Sequence, residues 1–387
     1  MDRDQSVAVD TQPRAVEHRT RLPHALAALY AIAIIYASLQ PFGDWVEPPP
    51  GTPFFLFATW PGRWFRYDFL LNIVAYAPFG FFVAWLPARA STLSRVALGA
   101  VIGGALSLSM ETLQMFLPLR VASAADFVSN TVGACIGASI GAMLANSQRF
   151  RPTLHRRRAQ LFIDGHLGDF GLALLALWTI AQINPGIPLF AVTFDPEPGR
   201  LLAAPPAVVE SAGLLIEAAE SAFQMLGVGL FVALLLRERR FIGSAVLVLI
   251  GAALLMKGLA AALVIKPAAW DTWQRPGVMM GIAAGALFIL AAVNLARPVM
   301  VAVCGIALLS SVGVPLLAPD LMSARAPLTL FNWRYGQLLN YNGLTRTILL
   351  VWPLFAAIWL FALAGRPAWG HPDTRLNSPA AARSKQK

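Results

Sequence analysis

Long apolar stretches separated by short polar loops follow one another along almost the whole chain. A helix needs roughly 20 apolar residues to cross the hydrocarbon core of a bilayer, and most of these stretches approach or exceed that length. The pattern therefore predicts an all-α fold, a polytopic transmembrane helix bundle of about ten spans. The ten predicted spans are 24–40, 68–86, 95–116, 126–146, 166–184, 209–236, 241–265, 277–294, 298–317 and 346–365.

The composition is typical of a chain that uses lipid as its solvent, because 57% of the residues are apolar and only 13% are charged. In soluble domains about a quarter of the residues are charged. The net charge of +10 does not indicate a nucleic-acid partner, since the arginines lie in short loops between apolar stretches. Most of these cations fall on one side of the membrane if both termini are cytoplasmic, in agreement with the positive-inside rule. The first stretch follows a charged tail without a clear cleavage site, which indicates a retained signal anchor.

The two halves of the chain resemble each other at an offset of about 145 residues. PFGFFVAWLPAR at 78–89 aligns with LGVGLFVALLLRER at 226–239, and LQPFG after the first span aligns with INPGI after the fifth. Four spans separate the copies, which predicts a degenerate parallel repeat of four spans. The predicted division is a cytoplasmic tail at 1–23, a four-helix unit at 24–146, a basic cytoplasmic linker at 147–163, a degenerate second four-helix unit at 164–294, two further spans with an outer loop at 295–365, and a disordered cytoplasmic tail at 366–387.

The two copies differ in their polar residues. Lys257 of the second copy takes the position of Glu111 in the first, and Glu220 lies in the span before it. Counted from the turn at 237–240, Glu220 and Lys257 lie at equal depth in an antiparallel hairpin, which predicts a buried ion pair. Removing one member of such a pair leaves the other charge stranded. We therefore interpret the second copy as a scaffold.

Polar residues converge at one end of the second, third and fourth predicted spans. An ionisable side chain at membrane depth is costly, so it indicates a functional site by default. The two polar residues of each span are three or four positions apart, which places them on one helix face. The alternative is a structural clasp, in which Arg120 pairs with Asp126 and the amides bridge helices. The candidate ligand-binding residues are Asp68, Asn72, Glu111, Gln114, Arg120, Asp126 and Asn130.

Small residues and one proline indicate how these spans pack. Pro78 removes a backbone hydrogen bond in the middle of the second span and predicts a kink, and Gly80 beyond it allows close packing. In the fourth span a glycine recurs at every fourth position, a spacing that lets a neighbouring backbone approach closely. These glycines are Gly133, Gly137 and Gly141.

The succession DFLLNIVAYAPFGFF, SLSMETLQMF, an arginine and ADFVSNTVGACIGASIGA resembles the VanZ-like family of bacterial membrane proteins. The resemblance covers 24–146. It implies a multi-pass protein of the bacterial cytoplasmic (inner) membrane that is concerned with the cell envelope, and the family's founding member is associated with resistance to the glycopeptide antibiotic teicoplanin. No catalytic mechanism follows from it. The matching positions are Asn72, Pro78, Gly80, Ser107, Glu111, Gln114, Arg120, Asp126, Asn130, Gly133 and Gly137.

The first functional hypothesis is a binding protein whose partners are membrane lipids and a lipid-linked glycan or glycopeptide. In an outward-facing polar cleft, Glu111 and Asp126 would accept hydrogen bonds from hydroxyl, amide or ammonium groups of the ligand. The amides of the cluster would orient the ligand, and Arg120 would hold an anionic group such as a phosphate. The ligand and the oligomeric state are left open by the sequence.

Two further hypotheses are an intramembrane enzyme and a transporter of an envelope precursor. In the enzyme, Glu111 would act as general acid or base. No Ser-His or Cys-His pair, nucleotide loop or cofactor motif supports covalent or cofactor chemistry, so no cofactor is expected. No metal site is predicted either, since oxygen-only ligands such as Asp68, Glu111 and Asp126 have no diagnostic spacing. A transporter would carry its charged site near the membrane midplane, whereas this cluster lies toward one face.

Overall fold

The computed structural model describes residues 20–40, 42–58, 66–190, 206–267, 274–317 and 335–365. The predicted terminal tails lie largely outside these ranges. The described part is helical apart from turns and loops, two short 3-10 segments and isolated bridge residues, among which Phe162 and Leu236 pair with each other. Its helices are α1 (Leu22–Leu39), α2 (Arg66–Ala84), α3 (Thr92–Gln114), α4 (Ala124–Asn146), α5 (Phe150–Leu161), α6 (Gly165–Ala181), α7 (Pro206–Leu235), α8 (Ile242–Val264), α9 (Pro276–Ala292), α10 (Arg297–Leu317) and α11 (Tyr335–Ala364).

Each of the ten predicted spans coincides with a helix, which confirms the all-α class. Seven helices are long and apolar enough to cross a membrane, namely α1, α3, α4, α7, α8, α10 and α11. The apolar parts of α2, α6 and α9 are shorter. Large apolar side chains such as Leu247, Leu255 and Phe361 remain exposed on the helix surfaces, as expected of a protein that contacts lipid. The count of ten spans itself stays a prediction.

Helix α5 was not predicted, since the sequence at 147–163 indicated only a basic linker. It is twelve residues long and has no buried residue, because it is polar all round. Arg158 near its end forms ion pairs with Asp164 and Asp169, the second at 2.5 Å. Asp169 also accepts hydrogen bonds from the Thr20 hydroxyl and the Arg21 main-chain N–H. These contacts join the start of α1 to α5 and α6.

In the first half of the chain, α4 packs on α2 through the repeated glycines. A side chain at any of these glycines would overlap the α2 backbone, so only glycine permits this approach. Gly80 of α2 meets the Ala134 backbone in the same way, and α2 continues as a helix through Pro78. The three pairs of α4 and α2 residues are Gly133 with Ile73, Gly137 with Ala77, and Gly141 with Phe81.

The second half contains a similar close contact between α9 and α7. Its glycine and backbone pairs are Gly277 with Leu214, Gly281 with Ala218, and Gly285 with Ala222. A large aromatic core lies beside this contact, where α11 packs on α6. The indole N–H groups of Trp352 and Trp359 donate to the carbonyls of Leu174 and Leu167 at 2.7 and 2.8 Å.

Candidate functional site

The carboxyl-terminal end of α1 is closed by two residues of the predicted polar cluster. The last carbonyls of a helix have no partner within the helix and need one from elsewhere. The Gln114 side chain donates to the Ser38 carbonyl at 2.8 Å. Arg120 donates to the Ala37 carbonyl at 2.7 Å and also to the carbonyl of Gln40. Both residues therefore hold α1 against the end of α3.

These contacts change the interpretation of Arg120. Neither its predicted pairing with Asp126 nor any other ion pair of Arg120 occurs among the described residues. Its guanidinium is instead committed to α1, because helix-end carbonyls carry partial negative charge that attracts a cation. Burial lowers the pKa of Arg120 from its ordinary value, and the nearby Glu111 carboxylate acts in the opposite direction.

Glu111 lies at the junction of α3 and α4 and is 4% exposed. One of its carboxylate oxygens accepts a hydrogen bond from the Ser123 main-chain N–H at 2.8 Å. The Ser123 hydroxyl in turn accepts from the Ala125 N–H and forms the N-cap of α4. A carboxylate at the start of a helix is stabilised by the partial positive charge of the free N–H groups there. The interior charge therefore has one favourable partner.

A second carboxylate, Asp126, joins α4 to α2. Its side chain accepts a hydrogen bond from the Asn72 amide at 2.8 Å. Glu111 and Asp68 are both close enough to Asp126 to interact with it electrostatically. Three carboxyl groups of the predicted site are therefore neighbours. No set of three His, Cys, Asp or Glu residues suited to a metal ion occurs in the described ranges.

Deeper between the helices, two polar atoms are left without a hydrogen bond. The Asn130 amide donates to the Ser107 hydroxyl at 3.0 Å, but its carbonyl oxygen has no partner. The Tyr76 hydroxyl, close to Ser107, Glu111 and Asp126, has no hydrogen bond of normal geometry. Asn130 is 6% exposed and Tyr76 5%. Buried polar atoms in folded proteins are mostly partnered, so each exception calls for an explanation. The second half of the chain also contains such atoms, and their presence alone does not mark a binding site.

Tyr76 was missed from the sequence, where it reads as one aromatic residue among many. A signal was present, since Tyr76 lies four positions after Asn72 and therefore on the same face of α2. The sequence also did not single out Ser123, because its role as a helix cap depends on where α4 begins. The predicted Asp68, Asn72, Glu111, Asp126 and Asn130 lie together with Tyr76 and Ser107, whereas Gln114 and Arg120 are turned to α1.

The second half has a cation at the corresponding place instead of this cluster. The Lys257 ammonium is fully buried and donates to the carbonyls of Asn184 and Ile187 at 2.8 and 2.7 Å. The predicted Glu220–Lys257 ion pair does not occur among the described contacts of Lys257. The physical reason is that the turn after α6 directs two main-chain carbonyls at the ammonium. A count of helix positions in the sequence does not reveal such partners.

Other polar residues of α7 also have partners away from Lys257. The Glu217 carboxylate forms an ion pair with Arg275 at 2.6 Å, which joins α7 to the start of α9. The Gln224 side chain accepts a hydrogen bond from the Ser311 hydroxyl of α10 at 2.7 Å. The polar groups of the second half therefore fasten helices to one another.

The fold and the site define a polytopic helical membrane protein with a buried polar cluster at one end of its first four helices. Among protein-family models, the VanZ/LLP1 model matches residues 10–145, so this part of the chain is a VanZ/LLP1 family domain. The match confirms the resemblance found in the sequence and stops before α5. Neither the curated proteins nor the solved structures give a match to the chain.

Proposed function

We propose that this protein is a VanZ-like integral membrane protein of the bacterial cell envelope that binds the polar head group of a lipid-linked or glycopeptide-type molecule. The binding site is the cluster around Glu111. The observation that carries the proposal is the proximity of two carboxylates, Glu111 and Asp126, beside the Asn130 carbonyl oxygen, which has no hydrogen-bond partner. Neighbouring like charges away from water disfavour each other, so a purely structural clasp gains nothing from the pair.

The donors and acceptors of the cluster indicate the chemistry of the ligand. Glu111, Asp126 and the Asn130 oxygen accept hydrogen bonds, so they fit hydroxyl, amide or ammonium groups. The Tyr76 hydroxyl can donate to a carbonyl or phosphate oxygen. A sugar or peptide head group offers both kinds of partner. From the sequence, Arg120 was expected to bind an anionic group of the ligand. In this proposal Arg120 instead holds the end of α1 next to the site and does not contact the ligand.

The proposed arrangement in the membrane follows the distribution of arginine and lysine. With ten spans and both termini in the cytoplasm, the ends of α3 and α4 that carry Glu111 and Asp126 face outward. This orientation brings the cluster to the side on which envelope precursors and glycopeptide antibiotics are encountered. The protein would thereby influence envelope assembly or sensitivity to teicoplanin.

The proposed parallel repeat gains support from the two glycine contacts. Ile73 and Ala218 both face a glycine of the partner helix, and their positions differ by the offset of about 145 that relates the sequences of the two halves. The same holds for Ala77 and Ala222, whereas the glycines that these residues face differ by 148 positions. The support therefore comes from the α2 and α7 positions alone. In this interpretation the first copy retains the binding cluster and the second serves as a scaffold.

The experiment is a measurement of teicoplanin sensitivity in a susceptible bacterial host that expresses the wild type, Glu111→Gln or Glu220→Gln at equal membrane levels. Glutamine keeps the size of the side chain and an oxygen that can accept from Ser123, so the fold is preserved while the charge is lost. We expect the wild type and Glu220→Gln to protect and Glu111→Gln to lose protection. Equal protection by all three proteins would contradict a role of the Glu111 charge.

A second candidate function is supported by the proximity of Glu111 and Asp126. Two neighbouring carboxyl groups away from water can exchange a proton with a bound substrate, which is the arrangement of a general acid and base. An intramembrane enzyme would convert a lipid-linked substrate in detergent, and Glu111→Gln would abolish turnover. Stoichiometric binding without any product favours the binding protein.

A further inference from the structure

A second polar site lies at the opposite end of the same helices. Arg95 in the first turn of α3 precedes Glu111 by 16 positions, which corresponds to about 24 Å along a helix. A cavity of about 360 Å³ opens at this end between the α2–α3 loop, the end of α4 and the start of α5. Its polar lining consists of Arg89, Arg95, Asn146, Ser147, Gln148 and Arg151.

Arg95 is 1% exposed and is held in place by neutral partners. Its Nη1 donates to the Ala84 carbonyl at 2.6 Å and its Nε to the Asn146 side chain at 3.0 Å. The Asn146 amide donates to the Thr92 hydroxyl at 3.0 Å. No hydrogen bond from Nη2 of Arg95 is found within the described part of the chain. The guanidinium is therefore fixed in orientation while one of its nitrogen atoms stays available.

The other two arginines add positive charge that no carboxylate balances. Arg151 donates to the Ala88 carbonyl at 3.1 Å and lies close enough to Arg95 for the two cations to repel each other. None of Arg89, Arg95 and Arg151 forms an ion pair with a described residue. Asp164 and Asp169, which follow the other end of α5 along the chain, are engaged by Arg158 and Arg237.

This arrangement differs from arginines that merely orient a membrane protein. An orientation signal requires only exposed cations in a loop, such as Arg156 and Arg157 on the outer surface of α5. Arg95 is instead buried, and burial of a charge without a counter-charge is costly. The Trp85 and Phe150 rings pack at 6.5 Å between centroids next to the cavity, as expected near the membrane–water interface.

We propose that the cleft formed by Arg89, Arg95 and Arg151 binds a phosphate group. Guanidinium groups form charge-assisted, often bidentate hydrogen bonds with phosphate oxygens, and three of them around one cavity match a tetrahedral anion. The phosphate belongs either to the head group of an anionic phospholipid or to a free phosphate-bearing anion. This site is separate from the Glu111 cluster and does not depend on the function proposed for it.

The test is native mass spectrometry of the purified full chain titrated with dihexanoyl phosphatidic acid, with and without inorganic phosphate as competitor. The proteins compared are the wild type, Arg89→Gln, Arg151→Gln and the matched control Arg157→Gln. We expect each cleft variant to lose about tenfold in affinity, which corresponds to the loss of a charge-assisted hydrogen bond. Arg157→Gln removes the same charge from α5 outside the cleft and should bind as the wild type does.

The source of the phosphate is decided by the competitor. Displacement of the lipid by millimolar inorganic phosphate indicates a site for free phosphate, and resistance to it indicates a lipid head group. Equal affinities of all four proteins would overturn the proposal. An equal loss in Arg157→Gln and the two cleft variants would overturn it as well, because binding would then follow total charge instead of the cleft. Circular dichroism of each variant measures its helix content, so a variant that binds weakly because it is unfolded is recognised.

Discussion

Both halves of the molecule have a cation that donates to main-chain carbonyls near the end of their first predicted span, but they take it from different places. In the first half, Arg120 in the loop after α3 donates to the carbonyls of Ala37 and Gln40. In the second half, Lys257 within α8 donates to the carbonyls of Asn184 and Ile187. The sequences of the halves align Lys257 with Glu111. A cation therefore binds main-chain carbonyls in both halves, whereas only the first half has a buried carboxylate at this position.

This difference separates structural polar groups from the candidate binding groups. A cation that binds main-chain carbonyls near a helix end stabilises the bundle, and both halves retain one. Glu111 also serves a helix end, because it accepts from the Ser123 N–H at the start of α4. Tyr76 and Asn130 close no helix end, and one polar atom of each has no hydrogen bond, as is also true of Ser221 and Gln224 in the second half. The third spans of the two halves, α3 and α8, also differ in how closely their glycines approach a neighbouring helix. Gly99 and Gly103 of α3 face α4 closely, whereas Gly251 and Gly258 of α8 have no neighbouring atoms in contact.

The largest effect is expected where two helix backbones touch. Gly137→Leu forces a side chain into the Ala77 backbone of α2, and Gly285→Leu does the same at Ala222 of α7. Each should cost about 3 kcal/mol or more, because neither backbone can move away. Thermal unfolding of the detergent-solubilised protein measures the loss. Gly251→Leu, which meets open space, serves as the control and should leave the unfolding temperature nearly unchanged.

The two halves need not respond alike. If Gly137→Leu lowers the unfolding temperature and Gly285→Leu does not, the close contact of α7 and α9 is not the counterpart of that between α2 and α4. The parallel repeat would then lose its main structural support.

A smaller effect is expected from removing the two cations. Lys257→Met removes the ammonium donor from the carbonyls of Asn184 and Ile187 and should destabilise the fold by about 1–3 kcal/mol. Arg120→Met should cost less, because Gln114 still donates to the Ser38 carbonyl of the same helix end. The two unfolding temperatures give the comparison. If the Lys257→Met protein is as stable as the wild type, the free energy lost by burying the ammonium equals the free energy gained from its hydrogen bonds.

The smallest effect on stability is expected for the bridge between α2 and α4. A double-mutant cycle of Asn72→Ala and Asp126→Ala should give a coupling energy of about 0.6 kcal/mol, as is usual for hydrogen bonds between membrane helices. Unfolding of the wild type, both single variants and the double variant supplies the four values. A coupling several times larger would assign the bridge a main role in holding the bundle together.

The sequence predicted the position of ten helices because a long apolar stretch has few alternatives to a helix. It also predicted that Asn72, Glu111, Asp126 and Asn130 meet, since residues near the ends of adjacent antiparallel spans share a depth. It did not predict the partners of Gln114, Arg120 and Lys257, because these partners are main-chain carbonyls that carry no signature of side-chain type. Helix α5 was missed for another reason, since it buries no apolar face that would mark it.

Tyr76→Phe tests the central claim most directly, because it removes one buried hydroxyl of the cluster, which lies close to Ser107 but makes no hydrogen bond of normal geometry. The measurement compares the unfolding temperature with the binding of teicoplanin to the purified protein in lipid nanodiscs, alongside the wild type. A binding site predicts an unchanged or slightly higher unfolding temperature together with about tenfold weaker binding, as expected for the loss of one ligand hydrogen bond. A clear fall in the unfolding temperature with unchanged binding would contradict the account and assign the cluster to the structure of the bundle.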